Sequence, residues 1–382
     1  MNYAEAERQL LELELFGMRF GLDRMRKLTT ALGMPQRRFA SIHVVGTNGK
    51  SSTARMIAVL LARHGLRAGC YTSPHLGSFR ERVEVGGTAI SETDFAAAVT
   101  RAAHAASLVD RTLEGEDRVT QFELLTAAAF HALARAGVDV AVIEAGLGGR
   151  HDATNVIDAR IVVLTNVARD HTEVLGETRE EIAEEKLAVV TPGATVILGE
   201  PEWDERARAN GAARVEPMSR SNLALAVGAA EAFVGRRVDP RPAEELRLPG
   251  RLERKSEHPL EIWDGAHNIA GVGYVLPRLP DRRFTIVASI LRDKNVDAML
   301  RALAAVGDAL VATESSNARA VPAGDLARLG EPHFGHVEAV EDPGRARDRG
   351  RELAGADGAL LVTGSTYLLA DLSQRAYDVP RP

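Results

Sequence analysis

Short apolar segments rich in β-branched residues alternate with longer amphipathic segments from about residue 39 onward. The short segments are apolar at successive positions, which is typical of parallel strands that are buried on both faces. The longer segments repeat apolar residues at helical spacing, and several of them end at glycine. We therefore predict an α/β fold in which helices cover both faces of a mostly parallel sheet. In the first part of the chain, the predicted strands cover residues 38–45, 66–73, 138–146 and 159–167, and the predicted helices cover residues 52–65, 122–137 and 221–235.

The alternation is interrupted at residues 237–250, which are rich in proline and arginine and poor in periodic apolar positions. Such a stretch is typical of a linker between domains. We predict a larger first domain over residues 1–236 and a smaller Rossmann-like α/β domain over residues 251–382. In the second domain the predicted strands cover residues 260–266, 283–290, 309–314 and 358–364.

Composition narrows the classes of protein that this chain can belong to. Its 382 residues carry 47 Lys and Arg against 53 Asp and Glu, a net charge of -6 without long runs of either sign, which argues against a nucleic-acid binder. Residues 1–20 mix charged and apolar positions, which predicts an amphipathic helix and not a signal peptide. No later segment is apolar enough to span a bilayer. Cys70 is the single cysteine and cannot form an internal disulfide, so we expect a cytoplasmic protein. From the charge and the apolar pattern described above, we expect neither nucleic-acid nor membrane partners.

A loop with the sequence GTNGKSS joins the first predicted strand to the helix that follows it. Two residues separate Gly46 from Gly49-Lys50, whereas the commonest phosphate-binding loop has four at this place. Glycines let backbone N–H groups converge on phosphate oxygens, and a helix N-terminus favours the same negative charge. We predict that Lys50 contacts the outer phosphates and that Ser51 or Ser52 reaches a magnesium ion; the alternative is a tight turn with a capping serine. The predicted phosphate-binding residues are Gly46, Thr47, Asn48, Gly49, Lys50, Ser51 and Ser52.

Polar side chains follow three other predicted strands where those strands end. Ser73, Glu144 and His171 occupy these positions, and Lys186 lies on the next helix. Because the carboxyl ends of parallel strands share one edge, we expect these residues to lie near the phosphate loop. A carboxylate such as that of Glu144 suits Mg²⁺, while Arg82 offers positive charge to an anionic substrate. Taken alone, the Glu144 segment is explained equally well by a sharp turn. A Ser-Pro turn followed by a solvated edge strand is the better account of Ser73 and Arg82, and a lone His or Lys is usually a solvated or satisfied residue.

In the second predicted domain, Asp264 and His267 lie at a strand-to-helix turn, and Asn268 is placed to cap the helix. A capped turn without further function is one interpretation. The other is a set of contacts to the nucleotide, which requires this turn to face the first domain.

Short motifs follow one another along residues 15 to 370: GTNGK, TSPHL, FELLTAAAF, GLGGRHDATN, DHTEVLG, EEK, PGRLE, DGAHN and VTGSTYL. This ordered set resembles the folylpolyglutamate synthase and dihydrofolate synthase family within the Mur ligase superfamily, whose phosphate loop is equally short. The resemblance implies a P-loop-containing Mur ligase-like domain followed by a glutamate-ligase domain. It also implies an ATP-dependent ligase that activates a substrate carboxylate as an acyl phosphate, which the amino group of L-glutamate then attacks.

The resemblance assigns a role to each candidate residue. The loop from Gly46 to Ser52 would hold the phosphates of ATP, with Lys50 neutralising developing charge. Ser73 and Glu144 would bind a first Mg²⁺ ion, and Glu144 with His171 a second. Lys186 matches a lysine that can become carbamylated. The resemblance therefore implies three catalytic residues, Lys50, Lys186 and His171. Further ATP contacts are implied for Asn222, Arg251, Asp264 and His267, and substrate contacts for Phe122, Asp152 and Arg82.

The chain departs from the family pattern at several positions. Ser51 stands where the family usually has glycine, although other Mur ligases have a hydroxyl residue there. His151 replaces a leucine, Leu187 replaces an alanine, and the sequence PMSR replaces the family's Gly-x-His-Gln before Asn222. These positions lie in the segments to which the resemblance assigns the metal site, the pterin site, the carbamate and the ATP contacts.

Several functions remain open at this point. The expected partners are ATP, L-glutamate and either dihydropteroate or a reduced folate, and the enzyme is expected to act as a monomer. The sequence leaves open whether it adds the first glutamate, later glutamates or both. Alternatives are a Mur-type ligase for another acid and amino acid, or a P-loop hydrolase or switch, which would not need Asp264, His267 and a second domain.

Overall fold

The computed structural model describes residues 1–13, 21–115 and 117–378. The chain divides into two compact units, Met1–Leu246 and Arg247–Pro382. Each unit is built around one sheet. The boundary lies within the stretch 237–250, where the first unit keeps a short helix, Arg241–Glu244, with a buried Ala243.

The first unit contains a sheet of eight strands, of which six run parallel. The strands are β1 Ala40–Val45, β2 Ala68–Tyr71, β3 Val83–Val85, β4 Thr88–Ala89, β5 Val140–Glu144, β6 Ala159–Leu164, β7 Thr195–Leu198 and β8 Arg214–Pro217. Their order across the sheet is β4-β3-β2-β5-β1-β6-β7-β8. Strands β3 and β4 lie together at one end of the sheet and are antiparallel to their neighbours.

Helices cover both faces of this sheet, as the sequence predicts. They are α1 Tyr3–Glu12, α2 Asp23–Ala31, α3 Lys50–Arg63, α4 Glu92–Asp110, α5 Gln121–Arg135, α6 Thr172–Leu175, α7 Arg179–Leu187, α8 Asp204–Ala209, α9 Asn222–Val234 and α10 Arg241–Glu244, with 3-10 turns at Pro35–Arg37, Phe79–Arg82 and Pro201–Trp203. On one face α3 and α9 pack through residues such as Leu61 and Leu225. On the other, α4 and α5 pack through residues such as Val99 and Phe130. Burial of apolar side chains on both faces stabilises the unit and explains the continuous apolar strands.

Side chains at the first turn fix where two functionally important helices begin. Thr120 accepts a hydrogen bond from the N–H of Glu123, whose carboxylate accepts from the N–H of Thr120, so α5 begins with a capping box. Thr178 and Glu181 form the same arrangement at the start of α7. A cap of this kind stabilises a helix by about 1 kcal/mol. These caps fix the first turns of the helices that carry Phe122 and Lys186.

The second unit has a six-stranded sheet made of β9 Glu253–Glu257, β10 Leu260–Trp263, β11 Phe284–Ala288, β12 Gly307–Ala312, β13 His336–Ala339 and β14 Ala359–Thr363. The order across the sheet is β13-β12-β11-β14-β10-β9, and all strands run parallel except β9. Its helices are α11 Ile269–Val275, α12 Val296–Ala304, α13 Ala323–Gly330, α14 Pro343–Ala354 and α15 Thr366–Asp378, with a 3-10 turn at Leu276–Arg278. The α/β architecture predicted from the sequence is therefore confirmed.

The register of the central strands fixes where the candidate site lies. Strand β1 pairs with β5 so that Val44 lies opposite Glu144, and with β6 so that Val45 lies opposite Leu164. The residues just after β1 therefore lie between the ends of β5 and β6. Of the predicted N-terminal helix, Tyr3–Glu12 is helical and residues 14–20 lie outside the described residues. Among the helices described, none is both long and apolar enough to cross a membrane.

Candidate active site

The phosphate loop connects β1 to α3 and depends on its two glycines. Gly46 has a φ of 143° and Gly49 a φ of 81°, which are left-handed values that other residues rarely adopt. A Cβ atom on Gly46 would collide with the side chain of Thr165, and one on Gly49 with that of Asn222. The loop is thus packed between the residue after β6 and the first residue of α9, and the predicted position Asn222 lies directly against it.

The segment after β6 holds the loop through several hydrogen bonds. The backbone N–H of Thr47 donates to the carbonyl of Asn166 (2.9 Å), and that of Asn48 donates to Asn166 Oδ1 (3.1 Å). In return, Thr165 Oγ1 donates to the carbonyl of Asn48 (2.7 Å). The sequence analysis missed Thr165 and Asn166 as functional positions. Their place at the end of a strand beside β1 was the signal that could have identified them.

Two lysines converge on the phosphate loop. Lys50 Nζ donates to the carbonyl oxygens of Gly46 and Thr47, both at 3.2 Å, and Lys186 Nζ donates to the carbonyl of Gly46 at 3.0 Å. Lys186 is buried. Burial, followed by the positive charge of Lys50, lowers the pKa of Lys186 to about 7, although Asp170 and other carboxylates oppose this shift. A large part of the Lys186 amines is therefore neutral near pH 7.

Glu144 ends β5 in a buried position next to the loop. Ser51 Oγ donates to Glu144 Oε1 at 2.8 Å, and the backbone N–H of Ser73 donates to Glu144 Oε2 at 2.9 Å. Burial raises the pKa of Glu144, while the charge of Lys50 acts in the opposite direction. The structure thus brings Ser51, Ser73 and Glu144 together at the N-terminus of α3. Of the two loop serines, Ser51 is hydrogen-bonded to Glu144, and the described part of the chain contains no such bond from Ser52.

His171 precedes α6 with a φ of 52°. Its Nε2 lies 3.9 Å from Asp170 Oδ1, and its Nδ1 lies 3.9 Å from Glu173 Oε1. Within residues 1–13, 21–115 and 117–378, no three or more His, Cys, Asp or Glu side chains cluster as a metal site. The oxygen atoms that do gather are the carboxylate of Glu144, the hydroxyl of Ser51 and the backbone carbonyl of Ser73. Such oxygen donors suit Mg²⁺, which also retains water and phosphate ligands.

Phe122 lies on the first turn of α5. Its ring packs against Gly146, where a Cβ atom would collide with it, and lies 6.5 Å from the ring of Tyr71. The charges of Arg82 and Asp152 both act on the phenol of the same tyrosine. Of the three residues predicted to contact the substrate, Phe122 therefore lies beside Tyr71, and the other two influence it electrostatically.

Asp152 is fixed by a buried chain of hydrogen bonds. Its carboxylate accepts from the N–H of Leu147 (2.8 Å) and from the N–H and hydroxyl of Thr154 (2.9 and 2.5 Å). His43 Nε2 lies 2.8 Å from Thr154 Oγ1. Burial lowers the pKa of His43 to about 3, so this imidazole is neutral. Because the Thr154 hydroxyl donates its own hydrogen to Asp152, it accepts the Nε2–H of His43. The sequence analysis missed His43 and Thr154, because these two residues are 111 positions apart in the sequence.

Arg82 is held by two residues of the segment after β2. Its Nε donates to His75 Nδ1 at 2.9 Å, and its guanidinium lies 5.4 Å from the centroid of the Phe79 ring. Burial and the charge of Arg82 lower the pKa of His75 to about 3, so that His75 accepts this hydrogen bond as a neutral imidazole. The TSPHL motif therefore supplies an acceptor that orients the predicted substrate-binding arginine.

The second unit brings its own predicted residues together at the end of β10. The carboxylate of Asp264 accepts from the N–H of Leu252 and from that of Ala266, both at 2.8 Å, and the charge of Arg251 acts on it. His267 Nδ1 lies 2.9 Å from the carbonyl of Gly265. Asn268 caps α11, as the sequence predicts. Asp264 and His267 thus lie in one turn, and the side chain of Arg251 lies next to Gly265 of that turn. The role of these residues in nucleotide binding stays a prediction.

Comparison with known proteins adds independent evidence. The Mur ligase middle domain matches residues 44–215, and the Mur ligase glutamate ligase domain matches residues 250–366. A Bacillus subtilis dihydrofolate synthase/folylpolyglutamate synthase is 31% identical, with 94% of this chain and 96% of the relative covered. The chain belongs to this family. Family membership makes it an ATP-dependent glutamate ligase.

Solved structures of the family have the same fold. Mycobacterium tuberculosis folylpolyglutamate synthase complexed with ADP gives a TM-score of 0.89 at 31% identity, with 100% of this chain and 99% of that chain covered. A bifunctional folylpolyglutamate synthase/dihydrofolate synthase with Mn, AMPPNP and L-glutamate bound gives a TM-score of 0.86 at 26% identity, with 99% of this chain and 98% of that chain covered. The resemblance found in the sequence is therefore confirmed over nearly the whole chain.

Proposed function

We propose that this family member uses ATP to join L-glutamate to dihydropteroate, to the glutamate tail of a reduced folate, or to both. The observation that carries the proposal is the arrangement around Gly46. The short phosphate loop, two lysines and the buried carboxylate of Glu144 all meet at the carboxyl edge of one sheet. Relatives with ADP, AMPPNP and L-glutamate bound support the same substrates for this chain.

The resemblance to the family implies the reaction, and these groups are placed to assist it. A carboxylate oxygen of the pterin acid attacks the γ-phosphorus of ATP, so that ADP leaves and an acyl phosphate forms. The amino group of L-glutamate then attacks the acyl carbon, and phosphate leaves with the oxygen that came from the acid. The loop N–H groups hold the phosphates while Lys50 neutralises the charge that develops on them. Positioning and charge neutralisation therefore supply most of the rate.

Glu144, Ser51 and Ser73 would hold the divalent metal. A buried carboxylate that already accepts a hydroxyl and an N–H hydrogen bond is oriented for a cation and needs one to balance its charge. Glu144 and His171 would hold a second ion. A bound Mg²⁺ would neutralise phosphate oxygens. We assign the metal-site hydroxyl of the loop to Ser51, because its side chain and not that of Ser52 contacts Glu144.

Lys186 would react with carbon dioxide to form a carbamate. This reaction needs a neutral amine, and the lowered pKa of Lys186 provides one near pH 7. The carbamate would be an anion beside Lys50, whereas the protonated amine of Lys186 is repelled by the positive charge of Lys50. Conversion would thus replace an unfavourable pair of cations by an ion pair.

The remaining predicted residues complete the substrate sites. Phe122, Asp152 and Arg82 would contact the pterin acid, and Asn222 would contact ATP together with Arg251, Asp264 and His267 of the second unit. We also propose that the enzyme acts as a monomer. Dependence on ATP and a single buried thiol, Cys70, suit a cytoplasmic reaction.

Phosphate release from ATP tests this proposal. It should depend strongly on both L-glutamate and a pterin acid, and side-by-side assays with dihydropteroate and tetrahydrofolate would identify the preferred acceptor. Equal release without either substrate would instead indicate a P-loop hydrolase or switch. Release that needs a different acid and amino acid would indicate another Mur-type ligase.

A further inference from the structure

An open groove of about 1040 Å³ lies on the first unit between α1, α4 and α5. Small residues of α4, including Ala96, Ala97 and Thr100, contribute to its lining. The groove is separate from the predicted substrate residues. His131 in its wall follows Phe122 by nine residues on α5, a distance of about 14 Å along the helix axis.

Basic side chains surround this groove. Arg101 and His104 of α4 and Arg135 of α5 are exposed, and His131 is half-buried. In the part of the chain that the structure describes, neither Arg101 nor Arg135 forms an ion pair with a carboxylate. The lining also includes Glu92, which precedes Arg101 by nine residues, or about 14 Å along α4. The acidic group therefore lies at the other end of the groove from Arg101.

The charges of three arginines converge on His131. Burial lowers the pKa of this imidazole, and the positive charges of Arg135, Arg101 and Arg38 lower it further. Cations gathered around one cavity repel one another unless an anion binds between them. A guanidinium also binds carboxylates through two parallel hydrogen bonds. The groove therefore has the charge distribution of an anion site.

We propose that this groove binds a chain of γ-linked glutamates, as found on a folate that carries several of them, at a second site away from the phosphate loop. This inference rests on the proposed function, which makes such tails substrates or products of the enzyme. The lining combines Arg101 and His104 of α4 with His131 and Arg135 of α5 and with small, partly apolar residues, so the groove fits carboxylates separated by methylene groups. A compact polyphosphate would concentrate its charge at one point and leave the Ala96 and Ala97 surface uncovered.

Calorimetric titration with γ-linked triglutamate tests the proposal. ADP and dihydropteroate are added at saturating concentration, so that the predicted active site is occupied. The double variant Arg101→Gln/Arg135→Gln should bind triglutamate about tenfold more weakly than the natural chain, since two charge-assisted contacts are lost. The matched double variant Arg111→Gln/Arg160→Gln, which removes two exposed arginines outside the groove lining, should bind it normally.

Three results would overturn the proposal: no triglutamate binding, equal binding by both double variants, or tighter binding of tripolyphosphate than of triglutamate through the same arginines. The ligase reaction is followed separately as glutamate-dependent phosphate release with dihydropteroate, which carries no glutamate tail. That rate should be unchanged in Arg101→Gln/Arg135→Gln. Its absence from the natural chain with both dihydropteroate and tetrahydrofolate would refute the proposed function, whereas the titration alone decides whether the groove binds triglutamate.

Discussion

Replacing Lys186 by methionine should stabilise the first unit at pH 6 and have a much smaller effect at pH 10. In the folded chain this buried amine has its pKa lowered from 10.5 to about 7, with burial as the largest cause. The unfolded chain therefore binds more protons than the folded chain between these two values. The free energy of unfolding of the natural chain, compared with that of the methionine variant, must then increase as the pH rises from about 7 to 10.5.

The size of this effect follows from the pKa difference. At pH 6 the charged, buried lysine destabilises the fold by about 5 kcal/mol, whereas at pH 10 the same calculation leaves about 1 kcal/mol. Loss of the hydrogen bond from Lys186 to the Gly46 carbonyl offsets about 1 kcal/mol at either pH. The difference in unfolding free energy between the two proteins should therefore change by about 4 kcal/mol between pH 6 and pH 10.

Urea unfolding in buffer purged of carbon dioxide measures this change. The chain has two tryptophans, Trp203 in the first unit and Trp263 in the second. In a Trp263→Phe background, fluorescence therefore reports unfolding of the unit that contains Lys186. The methionine variant controls for every other group that titrates over this range. A stability difference that does not change with pH would refute the lowered pKa, and with it the supply of neutral amine for a carbamate.

Three further predictions concern the site. Ser51→Ala should weaken binding of Mg²⁺ in the presence of ADP by about tenfold in calorimetry, because Glu144 loses the hydroxyl that orients it. Lys50→Ala should abolish acyl-phosphate formation, measured by hydroxylamine trapping, while the circular dichroism spectrum stays unchanged. Lys186→Ala should depress the rate of glutamate addition, and a short carboxylic acid should restore part of it by replacing the carbamate.

Each of these predictions has a result that contradicts it. Ser52→Ala is the matched control for Ser51→Ala, and equal loss of Mg²⁺ affinity in the two variants would remove the special role of Ser51. Turnover near the natural rate in Lys50→Ala would refute its contact with the phosphates. Full activity of Lys186→Ala without added acid would exclude the carbamate from the mechanism.

Local sequence features identified much of the fold and part of the candidate site. The strands were recognisable because burial on both faces requires continuous apolar residues, as in β1, β5 and β6. Gly46 and Gly49 were recognisable because a phosphate loop needs left-handed backbone angles. Glu144 was predicted from its place at the end of a strand, and the structure puts it beside the loop.

Contacts between distant segments could not be predicted in the same way. The choice of Ser51 over Ser52 depends on the orientation of α3 relative to β5, because only one of the two hydroxyls faces Glu144. The bonds from Thr165 and Asn166 to the loop join residues more than 100 positions apart. The low pKa of Lys186 depends on its burial beside Lys50, which no local pattern encodes.

Transfer of an oxygen isotope tests the proposed ligase reaction most directly. The pterin acid is labelled with ¹⁸O in its carboxylate and incubated with the enzyme, ATP, Mg²⁺ and L-glutamate. Attack of the carboxylate on the γ-phosphorus, followed by attack of the amine on the acyl carbon, must leave one labelled oxygen in each released phosphate. Mass spectrometry should find this label in phosphate in proportion to the amide formed. Amide formation with unlabelled phosphate would contradict an acyl-phosphate intermediate.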